Sequence, residues 1–212
     1  MELDISITAD DFSALIDNGL RIIIARPLED AEPNVSWLVF NPYMKNTVQW
    51  AEEYGLYAST VKVQKRKIIT PIGELPPKVL DGKSYLFGDG QKALFSEGTD
   101  PCDSGSFAIK NLMTDPPQLS FGLTQKAQVN GMDIAPSPIN AVSVLSHYTA
   151  TFTPLPKVYV WLETSLDTGI ILNDVKSALT EVDFDASNTK KSLTYDSNQG
   201  CFVASSNGVK RY

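Results

Sequence analysis

A single histidine, His147, and two cysteines, Cys102 and Cys201, serve all 212 residues. That scarcity removes whole classes of chemistry. A structural zinc site draws on closely spaced Cys and His ligands, and the chain has no CxxC, so no metal and no cofactor is expected. Two cysteines do not make a disulfide framework; Cys102 and Cys201 could pair, and in a reducing compartment two free thiols are the expectation. Long apolar runs are missing as well. Nothing approaches the roughly 20 apolar residues that a membrane-crossing helix needs. The opening MELDISITADDF has neither the basic segment nor the apolar stretch of a secretory signal, which points to a cytoplasmic protein. Positive charge is short too: 18 Lys and Arg against 25 Asp and Glu leave a formal charge of −7. An acidic surface disfavours nucleic acid or an anionic membrane as the main partner.

What is present reads as a packed β protein. Hydrophobic residues make up 42% and charged residues 20%, which argues against disorder. The clearest pattern runs from Pro156 to Phe184. Val158, Val160 and Leu162 alternate with Tyr159, Trp161 and Glu163, the period-2 signature of a strand. Asp167-Thr168-Gly169 supplies a turn, Ile170 to Leu172 begins a hairpin partner, and a third strand places Val182 and Phe184 on one face.

Earlier in the chain, Thr8 caps one short helix. Asp10 and Asp11 sit in its first turn, Phe12, Leu15 and Ile16 form its apolar face, and Asn18-Gly19 stops it. Residues 20–28 (LRIIIARPL) and 35–40 (VSWLVF) read as buried strands, joined by a loop with Asp30 and Glu32. A long extended run covers 47–63, with Gly55 marking a bulge. The only basic cluster, Lys62, Lys65, Arg66 and Lys67, reads as a charged strand end or edge. Prolines break the chain from Pro71 to Pro77. Short strands at 78–80, 84–87 and 92–95 follow, and Gly88-Asp89-Gly90 is a turn without a phosphate loop's context. Residues 96–106 read as a polar surface loop. Strands at 107–113 and 119–128, a hairpin turn at Asn130-Gly131, a run over 141–152 and a final pair at 192–195 and 201–204 complete the reading. With no internal repeat and no long linker, residues 1–212 form one antiparallel, sandwich-like all-β domain with one N-terminal helix.

Three segments together, ITADDFSALIDNG with LRIIIARPL, VQWAEEYGLYAS, and KVYVWLETSLDTGIIL with EVDF, resemble a group of uncharacterised cytosolic β-rich proteins of fungal genomes. The resemblance spans most of the chain. It implies a cytosolic single-domain β protein and carries no activity.

Two motifs suggest hydrolysis and neither is built for it. Asp167-Thr168-Gly169 matches an aspartic-protease triplet, and Asp103-Ser104-Gly105 passes for a second copy, but no repeated half embeds either. A serine nucleophile at Ser104 would depend on His147, and no G-x-S-x-G surrounds it. Any enzyme here would rely on carboxylates. Glu163 beside Trp161 and Tyr159, and Glu52 between Trp50 and Tyr54, each set a carboxyl against an indole, where desolvation raises a pKa toward acid–base use. The alternative is an outward-facing glutamate among cross-strand aromatics.

The leading expectation is binding without catalysis. Trp37, Trp50 and Trp161 with Tyr54, Tyr57 and Tyr159 offer flat faces to a carbohydrate or a small apolar ligand, as in a lectin-like or toxin-like module. The second is a metal-independent cyclase or isomerase of specialised metabolism using Glu163 or Glu52. The third is a structural or self-associating β protein, a homo-oligomer without a pocket.

Overall fold

Thr8 begins the helix as its residue type suggests. Its hydroxyl oxygen accepts from the Asp11 backbone N–H at 3.2 Å, and the helix α1 that follows strand β1 (Glu2–Ser6) runs Ala9–Asp17. Gly19, at φ +65°, takes the left-handed conformation that ends it. The structure, a computed structural model, describes residues 1–29, 32–89, 92–172 and 178–205. Asp30 and Gly90, read above as loop and turn residues, lie outside them.

Strands β2 (Arg21–Ala25), β3 (Ser36–Phe40) and β4 (Lys45–Ser59) follow, the last long and bulged. Next come β5 (Pro71–Leu75), β6 (Lys83–Phe87), β7 (Phe95–Pro101) and β8 (Phe107–Asn111). Then β9 (Gln118–Val129), β10 (Met132–Pro138), β11 (Val142–Leu145) and β12 (Thr149–Phe152) lead to β13 (Lys157–Glu163). Finally come β14 (Thr180–Asp183), β15 (Lys190–Asp196) and β16 (Cys201–Ala204).

Among the described residues the strands build three sheets. The largest runs β10-β9-β4-β1-β15-β16, with β11 added to β9 and β5 to β4; the others run β12-β8-β6-β7 and β14-β13-β2-β3. All three contribute to one apolar core: Leu3, Val48 and Leu123 from the first, Phe87 and Ile109 from the second, Ile24 and Val158 from the third. This is an all-β, sandwich-like arrangement. It is not wholly antiparallel. β1 pairs with β15 in parallel, and so does β6 with β8.

Several sequence expectations change. β13 pairs with β2 and β14, not with residues 170–172, which bridge instead to Val35 and Ile68. That segment covers the second face of β13. Trp161, Leu166 and Ile170 with Ile23 form a smaller cluster there, so Trp161 is buried on the face that alternation assigned to solvent, while Tyr159 and Glu163 on that face are partly buried. Pro71 opens a strand rather than ending one, because a strand's first residue tolerates a missing N–H. Residues 96–101 form strand β7, while 78–80 do not form a strand. Residues 141–152 split into β11 and β12 in different sheets, turned by His147 at φ +67°. The basic cluster lies in the exposed connection between β4 and β5. Asn130-Gly131 is the two-residue hairpin turn expected, both residues at positive φ.

Candidate functional site: a buried arginine beneath two cavities

The bulge in β4 organises the site. Trp50 pairs with Ala127 and Tyr54 with Gln125, so four residues of β4 span what two residues span on β9. Such bulges re-aim side chains. Here Trp50 and Tyr54 converge on Glu52, and Glu52 meets Arg26, which follows β2 and is 1% exposed.

Arg26 forms a two-pronged pair with Glu52. Nη1 donates to Oε1 and Nη2 to Oε2, each at 3.0 Å. The other Nη protons go to Gln125 Oε1 and the Leu155 carbonyl, both at 2.6 Å. The guanidinium also lies 5.8 Å from the Trp37 ring centre and 5.7 Å from that of Tyr54. Glu52 accepts further from Trp50 Nε1 at 2.8 Å and from the Tyr54 hydroxyl. A carboxylate offers about four acceptor positions. All four are taken.

This saturation decides the chemistry of Glu52. Burial alone pushes its pKa up, but the charge and hydrogen bonds of Arg26, with those of Tyr54 and Trp50, outweigh it and hold the carboxyl below its ordinary value. The expectation of a raised pKa against the indole is therefore corrected at Glu52. Burial beside the carboxylate pushes the Tyr54 phenol the other way, above its usual range. Neither group is poised to exchange a proton near neutrality.

The remaining sequence candidates separate into two groups. Trp37 joins the cluster, fully buried, with Nε1 donating to the Gln125 carbonyl at 3.1 Å and its ring edge-on to Trp50 at 5.6 Å. Tyr57, also fully buried, donates instead to the Asn140 carbonyl at 2.6 Å. Trp161 is core on the far side of β13, with Nε1 3.3 Å from Glu163 Oε2. Tyr159 is half-buried and donates to Glu181 at 3.1 Å. Tyr159, Trp161 and Glu163 thus stand apart from the arginine. Asp167 of the protease-like triplet is 69% exposed and pairs with Arg21 at 3.0 Å, in an ordinary turn. Cys102 and Cys201 are both free. Among the described residues no cluster of three or more His, Cys, Asp and Glu could hold a metal ion.

Two cavities adjoin the bulge. One, of about 660 Å³, is lined by Trp50, Ala51, Pro77 and Gln128 among others. The second, of about 450 Å³, has Glu52, Tyr54, Leu80, Phe107 and Pro156 in its wall. Glu53 and Lys78, an ion pair at 3.6 Å, border both. The side chain of Glu52 is 32% exposed toward this region. Arg26 and Gln125 were missed from sequence, although an arginine ending an apolar run was a signal that some buried partner must exist.

The fold and site define a class: a β-sandwich-like protein holding a buried arginine–carboxylate pair under an aromatic-walled double cavity. A family model described as RhiA matches residues 27–206, most of the chain, and the protein belongs to that family. No curated protein matches it, and no solved structure does. Among the described residues no helix is long and apolar enough to cross a membrane.

Proposed function

We propose that this protein is a non-enzymatic ligand-binding module that takes a carbohydrate or a small apolar ligand in the double cavity along the β4 bulge. One observation carries the reading. Two adjoining concavities of about 660 and 450 Å³ have Trp50 in the wall of the first and Tyr54 with Phe107 in the wall of the second, and the charged pair Glu53–Lys78 borders both. Binding sites of this size are mostly apolar, with a few placed polar groups. The Arg26 cluster beneath holds these walls rigid, which limits the ordering cost of binding. A cyclase or isomerase is less well supported, since Glu52 is held ionised with its acceptor positions filled. The fungal, cytosolic setting implied by the sequence resemblance, and self-association, belong to this proposal as well.

The test is a thermal-shift screen of glycans and small hydrophobic compounds, followed by calorimetry. A ligand present at one hundred times its Kd raises stability by about 2.7 kcal/mol. Ala51 is exposed and lines the larger cavity, so Ala51→Trp should abolish the shift while leaving the melting temperature of the free protein within a degree or two. A ligand that binds Ala51→Trp and Leu80→Trp as well as it binds the native chain would refute the assignment.

A further inference from the structure

The polar network around Arg26 leaves one group unserved. Four guanidinium protons have acceptors, but Nε is buried without a partner. A second orphan lies nearby in the fold. Asn140, 3% exposed, accepts from the Leu123 N–H at 2.8 Å through Oδ1, yet its Nδ2 has no partner. Both residues line the same cavity, of about 410 Å³, together with Leu28, Glu29, Asn34 and Val142. This cavity is separate from the double cavity along β4, with which it shares no lining residue. Buried polar groups are nearly always paired, by protein or by something bound. Two unpaired N–H donors in the wall of one cavity therefore mark a place for acceptor oxygens.

Charge narrows the ligand. Arg26 already has its counter-charge in Glu52, so Nε requires an acceptor but no further anion. Glu29 and Glu32 stand in the cavity wall, both exposed, and would repel an anion. Glu29 accepts from the Thr153 hydroxyl at 2.9 Å and keeps acceptor capacity for hydroxyl hydrogens. Leu28 and Val142 add an aliphatic surface suited to ring C–H groups. A group that accepts at depth, donates at the rim and carries no charge is a sugar hydroxyl set. Both donors are shielded from bulk water, so ligand oxygens reach them only through a local rearrangement of the wall that binding itself favours.

We propose that the cavity between Arg26 and Asn140 is a second binding site, for one ring of a neutral polyhydroxylated ligand, with Arg26 Nε and Asn140 Nδ2 donating to its oxygens and Glu29 and Glu32 accepting from its hydroxyls. It stands independently of the double cavity along β4.

Saturation-transfer difference NMR with glucose, galactose and mannose in turn, and with glucuronate as the charged comparator, tests it on the full chain. At least one hexose should receive saturation from the native protein, and glucuronate should bind at least tenfold more weakly. Val142 is 37% exposed, so Val142→Trp fills the cavity without entering the core and should weaken that hexose at least tenfold. Thr151→Trp, at an exposed position in the same wall, repeats the test if the first variant loses its native circular dichroism. Leu145→Trp, on the same strand as Val142 but outside the cavity wall and 52% exposed, should leave the hexose signal unchanged. Silence from all three hexoses overturns the proposal, as does a signal undiminished in the folded cavity-filling variants, or tighter binding of glucuronate. A signal lost in Ala51→Trp but kept in Val142→Trp would place the sugar along β4, overturning this site while supporting the function proposed above.

Discussion

Arg26 and Glu52 are each held by the other. The arginine side chain has no exposed surface, so its charge is tolerable only while the carboxylate and the Gln125 and Leu155 oxygens surround it. Breaking one partner of a buried pair typically costs about 3–5 kcal/mol, because a desolvated charge stays behind. Arg26→Met should therefore lower urea-measured stability by that order. Arg26→Met with Glu52→Gln should be more stable than Arg26→Met alone, since no unpaired charge remains. The pair also sets a pH dependence. Glu52 has a folded-state pKa below its ordinary 4.5, so unfolding takes up a proton between the two values. Its contribution is complete above about pH 4.5 and is lost as pH falls through the lowered value. Stability measured from pH 6 downward should decline in that window, and Glu52→Gln should flatten the decline. A steeper slope in the variant would contradict the assignment.

At the scale of elements, β4 and the strands beside it are tied by close approaches that only glycine permits. A Cβ on Gly55 would lie 2.4 Å from the Leu75 carbonyl oxygen and 2.5 Å from Thr124 Oγ1. One of these is backbone, which cannot swing away, so Gly55→Ala should cost about 1–3 kcal/mol as overpacking. Gly131 is the contrast. Nothing lies within 4 Å of its Cβ position, but its φ is +80°, so Gly131→Ala should lose about 1 kcal/mol for backbone reasons alone. Denaturant midpoints would separate the two, with only Gly55→Ala also disturbing near-ultraviolet signals from Trp50 and Tyr54. Gly55 was legible in the sequence as a mark of irregularity in β4. The bulge itself falls a few residues earlier, between Trp50 and Tyr54, and no residue there advertises it.

For the whole molecule, the main core takes side chains from all three sheets, and β1 near the N-terminus pairs with β15 near the end of the chain. Few contacts could survive the loss of any one sheet. Unfolding should therefore be a single cooperative transition, with tryptophan fluorescence and far-ultraviolet circular dichroism tracing one curve. Separated curves would show that the sheets fold as independent units. The mutual dependence is also why the assembly exceeds what local patterns reveal. Short strands were readable at most positions, as at residues 107–111 and 119–128, because alternation and β-branched residues mark them. Pairing was not readable where the partner is far away. β13 looked like the first arm of a hairpin with Ile170–Leu172, yet it pairs with β2 and β14, and the apparent partner covers its second face.

By itself the sequence determined the composition-level facts and the local ones. These are an all-β chain with one capped helix, a hairpin turn at Asn130-Gly131, and the nearness of Glu52 to Trp50 and Tyr54, because each depends on residues a few positions apart. Tertiary structure alone decided which aromatics are core, that Arg26 meets Glu52 from 26 residues away and Gln125 from 99, and that the carboxylate is therefore held ionised. The physical reason is that burial and charge pairing depend on what arrives from distant strands, and a side chain's pKa follows its neighbours in space.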